Sequence, residues 1–320
     1  MVIKDRHSRA SGAVVGSALF LLLAVCLVAG CSARSESDNR IRVAASIVPV
    51  ADFCRNVGGD LVEVRSLIPA QAGCGHTFEP TVGQMKFLAD ADVFVINGLG
   101  LESWASDVVS KVGNPKQVTM VASDSIPRRL LLPTGDADLL SSARKGENVY
   151  DPHVWLDPSL AIYEVEAIRD CLGRVDPVHR AQYTKNAAAY IEKLKALDAK
   201  VAVLIAPARR KEFVATHPTW TYFARRYGVV QAGEVEELPG KEPSLAQINL
   251  LMDKVRDLGI KAVFAEPQLS PKAVEVIAQD AGPRVKVFTV DPVGDPENPA
   301  VATYVKLMER NAAIICEAIK

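Results

Sequence analysis

Residues 176–207 read DPVHRAQYTKNAAAYIEKLKALDAKVAVLIAP, and this stretch decides the fold. Asp176-Pro177 is a helix start, with the aspartate placed to cap and the proline tolerated in the first turn. Apolar or small residues recur at Tyr183, Ala187, Tyr190, Leu194, Leu197, Val201 and Leu204, stepping by four and three alternately. Lys185, Glu192, Lys193, Asp198 and Lys200 occupy the other face. One apolar stripe with a charged back is the pattern of a helix that buries a single side. Pro207 ends it. Such a helix is about 40 Å long, enough to run along one lobe and into the next, yet short for an independent coiled coil. Residues 177–207 therefore read as an interdomain backbone helix.

The chain on either side carries a β-α rhythm. Before it, strands are expected at Ile41–Ile47, Leu61–Ile68, Asp92–Asn97 and Val118–Ala122. Helices are expected after Pro49, around Val82–Ala89 and over Leu101–Val112. After it, strands are expected at Glu212–Thr216, Lys261–Ala265 and Val285–Val290. The helices there are placed at Trp220–Tyr227, Leu245–Leu258, Pro271–Ala281 and about Ala300–Ile319. Such alternation implies parallel sheets covered by helices. The fold class is α/β: two doubly wound α/β lobes, residues 41–176 and 208–320, joined by one long rigid helix.

The N-terminus stands apart. Lys4, Arg6 and Arg9 precede the apolar run Val14–Val28, which ends in Val28-Ala-Gly-Cys31. A basic patch, an apolar stretch and small residues before a cut site describe a signal peptide, residues 1–30. The Val-Ala-Gly-Cys motif is similar to a bacterial lipobox, in which Cys31 is acylated and anchors the chain to a membrane. An uncleaved anchor and a plain signal peptide are the alternatives. Residues 31–40 are polar and unpatterned, a flexible tether. The working part is expected outside the cytoplasmic membrane, in the periplasm or at the cell surface. Removing residues 1–30 takes the net charge from −1 to −3, so nothing basic points to nucleic acid. Cys54, Cys74, Cys171 and Cys316 are widely spaced and form no thiol-zinc or redox motif.

Four histidines lie beyond the signal peptide. His179 sits among polar residues at the start of the long helix and reads as a solvated helix residue. The other three fall in expected loops. His76 is in Gly73-Cys-Gly-His-Thr-Phe-Glu-Pro80, His153 in Tyr150-Asp-Pro-His-Val-Trp-Leu-Asp-Pro158, and His217 in Ala215-Thr-His-Pro-Thr-Trp220. The two Asp-Pro pairs around His153 predict a stiff, non-helical loop. His217 and Asp291 each come directly after an expected strand, and ligands of open α/β sheets bind beyond the carboxyl ends of strands. Three neutral imidazoles and one carboxylate fill a tetrahedral Zn²⁺ shell. His76, His153, His217 and Asp291 are the candidate metal ligands, with the metal site expected in the interlobe cleft.

Several motifs strengthen this reading: His76-Thr-Phe-Glu-Pro80, Asn97-Gly-Leu-Gly-Leu-Glu102, Asp151-Pro-His-Val-Trp-Leu-Asp-Pro158, His217 with Tyr222-Phe223, Phe264-Ala-Glu-Pro-Gln268 and Asp291-Pro-Val-Gly294. Through them the chain resembles the metal-binding lipoproteins of bacterial ABC importers for zinc and manganese, the ZnuA/TroA type, over about Arg42 to Lys320. The resemblance implies a non-enzymatic solute-binding protein that captures a metal ion for a membrane permease and its ATPase. The family's ligand positions fall on His76, His153, His217 and Asp291, and a monomer is expected.

Departures from the family pattern are specific. Cys74-Gly75 stands where many relatives have Asp-Pro, and Pro133 to Val149 lacks the His-rich loop of many zinc members. Glu79 and Glu266 read as outer groups near the cleft. A histidine at 217 points to zinc, with manganese as the alternative, because manganese sites lean on oxygen donors. The rivals are a metal-binding surface adhesin and a zinc hydrolase, which would need an H-E-x-x-H helix or a comparable base that the chain lacks.

Overall fold

The structure is a computed structural model that describes residues 40–320 apart from 73–74, 76–77, 135–139, 141–148, 210 and 237–242. The expected signal peptide, Cys31, Cys74 and His76 thus lie outside the described residues, as does most of the Pro133–Val149 loop.

The first lobe comprises β1 (Ile41–Ala45), α1 (Val48–Gly58), β2 (Val62–Ser66), α2 (Val82–Ala89), β3 (Val93–Ile96), α3 (Ala105–Val112) and β4 (Val118–Val121). Its strands pair in parallel in the order β2-β1-β3-β4. β3 reads Val-Phe-Val-Ile and is buried along nearly its whole length, as a central strand covered on both faces must be. Next come α4 (Pro158–Val175) and the long α5 (Arg180–Ile205). The second lobe has β5 (Glu212–Ala215), α6 (Thr221–Tyr227), β6 (Val230–Glu234), α7 (Leu245–Asp257), β7 (Ala262–Ala265), α8 (Lys272–Ala281), β8 (Lys286–Thr289) and α9 (Tyr304–Ala318). Its order, β6-β5-β7-β8, repeats that of the first, again all parallel.

The lobes also repeat a local device. Thr81 and Gln84 form a capping box at the start of α2, and Ser244 and Gln247 form the same box at α7. Each hydroxyl accepts from the backbone N–H three residues on, satisfying a helix-end donor.

α5 confirms the long helix and shifts its register at one end. Tyr183, Ala187, Tyr190, Leu194, Leu197 and Val201 are buried as expected, but the last buried position is Ile205, not Leu204. A repeat of 3.5 residues drifts against a helix of 3.6 per turn, so over six turns the buried stripe advances by about one position. The helix is tied to both lobes. The Tyr190 hydroxyl donates to Asp52 of α1 at 2.9 Å, and Tyr227 of α6 donates to Asp198 at 3.0 Å. One continuous apolar core runs through Phe53 and Phe94 of the first lobe, Leu194 and Val201 of α5, and Phe213 and Phe264 of the second.

Two elements escaped the sequence reading. α4 begins at Asp157-Pro158, where the Asp157 carboxylate accepts from Ser159 N at 2.9 Å. The second Asp-Pro pair is therefore a helix start rather than the far end of a loop. Asp176-Pro177, the expected capped start of the long helix, instead opens a 3₁₀ turn, Pro177–His179, without a side-chain cap, and α5 begins only at Arg180. β6 was hidden because it is an edge strand, largely exposed or half-buried, and contains Gly233. α3 and α9 start four residues later than expected. At α3 the chain first makes a left-handed turn, with φ of 96° at Gly98, 55° at Leu99 and 88° at Gly100. A Cβ at Gly98 would lie 2.2 Å from a Val121 methyl, so this turn requires glycine.

Candidate metal centre

The carboxyl ends of both sheets point toward a small cavity of about 30 Å³, room for an ion or a water or two. Its wall includes His153, Trp155, His217, Thr219, Glu266, Gln268, Pro292 and Val293, with Ile47, Gly75 and Leu101 from the first lobe. These residues follow strands: Ile47 after β1, His217 after β5, Glu266 directly after β7, and Pro292 in the segment after β8.

His153 lies immediately before a short 3₁₀ turn, Val154–Leu156, and is 4% exposed. Its ring Nδ1 and its backbone N–H both meet Asp151 Oδ1 at 2.8 Å. A carboxylate beside Nδ1 accepts a hydrogen bond from the N–H there and leaves the lone pair on Nε2, the arrangement that orients a histidine for a metal. Asp151 is held in turn. Its second oxygen accepts from the Thr221 hydroxyl, and its carbonyl accepts from the Tyr222 hydroxyl at 2.9 Å. Both partners belong to the second lobe, so the carboxylate behind His153 is clamped across the cleft.

His217 is 5% exposed, and its ring stands edge-on to that of His153 with centroids 5.3 Å apart. Its Nδ1 lies 3.1 Å from Glu266 Oε1, a charge contact off the line of a well-formed hydrogen bond. Its Nε2 meets the Thr219 hydroxyl at 2.5 Å. For Nε2 to reach a metal, that hydroxyl must turn aside. Burial disfavours the charged ring, but the adjacent Glu266, together with the charges of Asp151 and Glu236, outweighs burial and raises the His217 pKa above its ordinary value. Three carboxylates converging on buried imidazoles make a place where positive charge is favoured.

Asp291 lies in the loop after β8 and is not itself on the cavity wall, although Pro292 and Val293 are. Its Oδ1 accepts from the backbone of Val293 at 3.0 Å and Gly294 at 2.9 Å, and from Gln268 Nε2 at 3.0 Å. Gln268 also donates to Ala70 O of the first lobe at 3.2 Å. Among the described residues, no three His, Cys, Asp or Glu side chains come together as a ready metal-binding group.

Of the four expected ligands, His153 and His217 are brought together edge-on, Asp291 lies off the cavity wall in the loop that supplies Pro292 and Val293 to it, and His76 lies outside the described residues. Glu266 is at the site as expected of an outer group, whereas Glu79 is exposed and off the cavity wall. His179 is indeed solvent-facing, paired with Asp176 at 2.6 Å. The roles of Asp151, Thr219, Glu236 and Gln268 were missed. The sequence signal for Asp151 was present, a carboxylate two residues before a histidine in a proline-stiffened turn. For Glu236 and Gln268 there was none, because they act through contacts between separate segments, whereas Thr219 lies two residues from His217 and carries no pattern that marks its hydroxyl as a partner of the ring.

This architecture defines a class: a two-lobed α/β binding protein with buried histidines and carboxylates meeting between its lobes. The chain belongs to the family described as zinc-uptake complex component A, periplasmic, which it matches over residues 43–318. It is 31% identical over 299 residues to the zinc-binding lipoprotein AdcA of Streptococcus pneumoniae, covering 92% of this chain. It spans only 59% of that relative's length. The high-affinity zinc uptake system protein ZnuA of Bacillus subtilis is 29% identical over 303 residues, covering 94% of this chain and 95% of the relative. A crystal structure of ZnuA superimposes with a TM-score of 0.77 at 30% identity, covering 88% of this chain and 100% of that one.

Proposed function

We propose that this chain is the extracytoplasmic metal-binding component of an ABC importer, capturing Zn²⁺ and delivering it to a membrane permease driven by its ATPase. It is a carrier and not an enzyme. The observation that carries the reading is the His153–His217 pair, 5.3 Å apart between the lobes with a carboxylate beside each Nδ1. Family membership and the names of the relatives support zinc as cargo.

The ligand set is His76, His153, His217 and Asp291. Three imidazoles favour zinc over manganese, which prefers oxygen donors. The metal is bound to deprotonated imidazoles, so capture releases protons and acid favours release. The chain acts as a monomer, tethered through a lipid on Cys31, with the polar segment 31–40 giving it reach to the permease. Elemental analysis of the purified mature protein, wild type beside His153→Ala, tests the reading. About one zinc per wild-type chain and a marked loss in the variant are expected; equal metal content in the two would refute it.

A further inference from the structure

Beside each proposed ligand, a side-chain N–H from elsewhere in the fold holds a backbone carbonyl. Asn97 Nδ2 donates to Pro152 O at 2.9 Å, one residue before His153. Gln231 Nε2 donates to the carbonyl of His217 itself at 3.1 Å. Trp104 Nε1 donates to Gly75 O at 3.0 Å, one residue before His76 in the chain. Trp155 Nε1 donates to Pro292 O at 2.7 Å, one residue after Asp291. Loop carbonyls usually bond to water or to their own turn, and here they are fixed by side chains from other segments.

Trp155 differs from the other three because its bond crosses the cleft. It sits in the turn that follows His153, is 2% exposed, and packs its ring 5.3 Å from the His153 ring. Its indole N–H reaches the loop after β8 in the second lobe. Its own carbonyl accepts from the Tyr304 hydroxyl of α9 at 2.5 Å. Tyr304 is anchored through its backbone N–H to Asp52 at 3.2 Å and packs edge-on against Phe53 at 4.9 Å. One residue therefore joins the His153 turn to both the Asp291 loop and the C-terminal helix.

We propose that Trp155 is a positioning residue that keeps the His153 turn and the Asp291 loop in register across the cleft, so that retention of the metal depends on its indole N–H. The proposal rests on the ligand set given above. Without that bond the Pro292 carbonyl is left buried and unpaired, and the His153 turn loses its direct tie to the loop that carries Asp291. Outer contacts of this kind change metal affinity by about tenfold or more. The change should appear in release rather than capture, since affinity differences among variants of one site lie mostly in the dissociation rate.

Trp155→Phe tests this, keeping an aromatic ring while deleting the N–H. Zinc release is followed by stopped-flow transfer to a chelating dye, and melting is recorded for metal-free and zinc-loaded protein. About tenfold faster release is expected, with a smaller gap between the two melting temperatures. A merely structural role would lower both melting temperatures together and leave release unchanged, which would overturn the proposal. Ile277→Ala, a core truncation in α8, is the control expected to lower melting without changing release; faster release there would overturn the proposal too. Should Trp155→Phe fail to fold, Tyr304→Phe removes the hydroxyl on the Trp155 carbonyl and should speed release in the same direction; wild-type release would count against the brace. His217→Ala separates the two readings. Its loss of zinc beside normal release from Trp155→Phe sinks only the positioning role, whereas zinc retained by His217→Ala sinks the ligand set.

Discussion

His153 and His217 face each other edge-on, and each presents its Nδ1 to a buried carboxylate, Asp151 at 2.8 Å and Glu266 at 3.1 Å. The two carboxylates come from opposite lobes, and each serves the histidine of its own lobe. Asp151 is nevertheless locked by Thr221 and Tyr222 from the other side. The imidazoles are thus oriented before any ion arrives, so metal binding need not order them.

Asp151→Asn should weaken zinc binding by about 10- to 100-fold, because the amide keeps an acceptor for His153 but loses the charge that makes the imidazole a better donor. The fold should survive, since Asn retains the size of the side chain and can still meet Tyr222 through its backbone carbonyl. Competition titration against a chelator of known affinity reads the change. Wild-type affinity would mean that Asp151 only shapes the turn.

The raised pKa of His217 sets how zinc binding responds to acid. Burial opposes its charge, but Glu266, Asp151 and Glu236 prevail, so a proton competes for the ring more strongly than for an ordinary imidazole. Metal ligation needs the neutral ring, so affinity should be full above the raised value and fall as pH drops through it. Calorimetric titration at pH 7.5 and pH 5 should show strong and weak binding respectively. Glu266→Gln removes the leading source of the upward shift, so the midpoint of this fall should move to lower pH. An unmoved midpoint would assign the shift to the other carboxylates.

How much of this was legible in the chain follows from the range over which each signal acts. The stripe from Tyr183 to Val201 and the apolar strand at 93–96 are local patterns, and both elements are where their periodicities place them. The buried pairing of His153 with His217 followed from topology, because strand ends of two parallel lobes face one cleft. α4 was missed because Asp157-Pro158 admits both a loop and a capped helix start, and only the burial of Leu160, Val165, Ile168 and Leu172 decides between them. β6 lacked an alternating pattern because an edge strand has little to bury. The links from Trp155 to Pro292, Gln268 to Ala70 and Asn97 to Pro152 join residues distant in sequence, and no local pattern encodes them.

The continuous core through α5 limits how far the lobes can move apart. Opening the cleft as a wide hinge would break the packing of Leu194 and Val201 and expose Phe213 and Phe264, which are all buried. Tyr190 would also lose Asp52, and Tyr227 would lose Asp198. Small-angle scattering with and without zinc should therefore give nearly the same radius of gyration, with the response confined to loops. A large compaction on adding zinc would show that the core yields more easily than its packing implies.

Glu164 on α4 offers a test of stability away from the metal. It is fully buried, and neither carboxylate oxygen has a hydrogen-bond partner among the described residues. Burial, and then the charge of Glu102, push its pKa up to about 8. A carboxyl whose pKa is higher in the folded state than in the unfolded state favours folding while it stays neutral. Stability from this group is therefore full below the unfolded value near 4.5 and is lost as pH rises toward about 8. Glu164→Gln keeps the shape and the neutral polarity but cannot ionise. Metal-free protein melted at pH 5 and pH 9 should show the variant close to wild type at the lower pH. At the higher pH it should be more stable by a few degrees, roughly the effect of one or two kcal/mol in a protein of this size. Parallel melting curves at both pH values would show that Glu164 finds a proton or a partner in solution that relieves its burial.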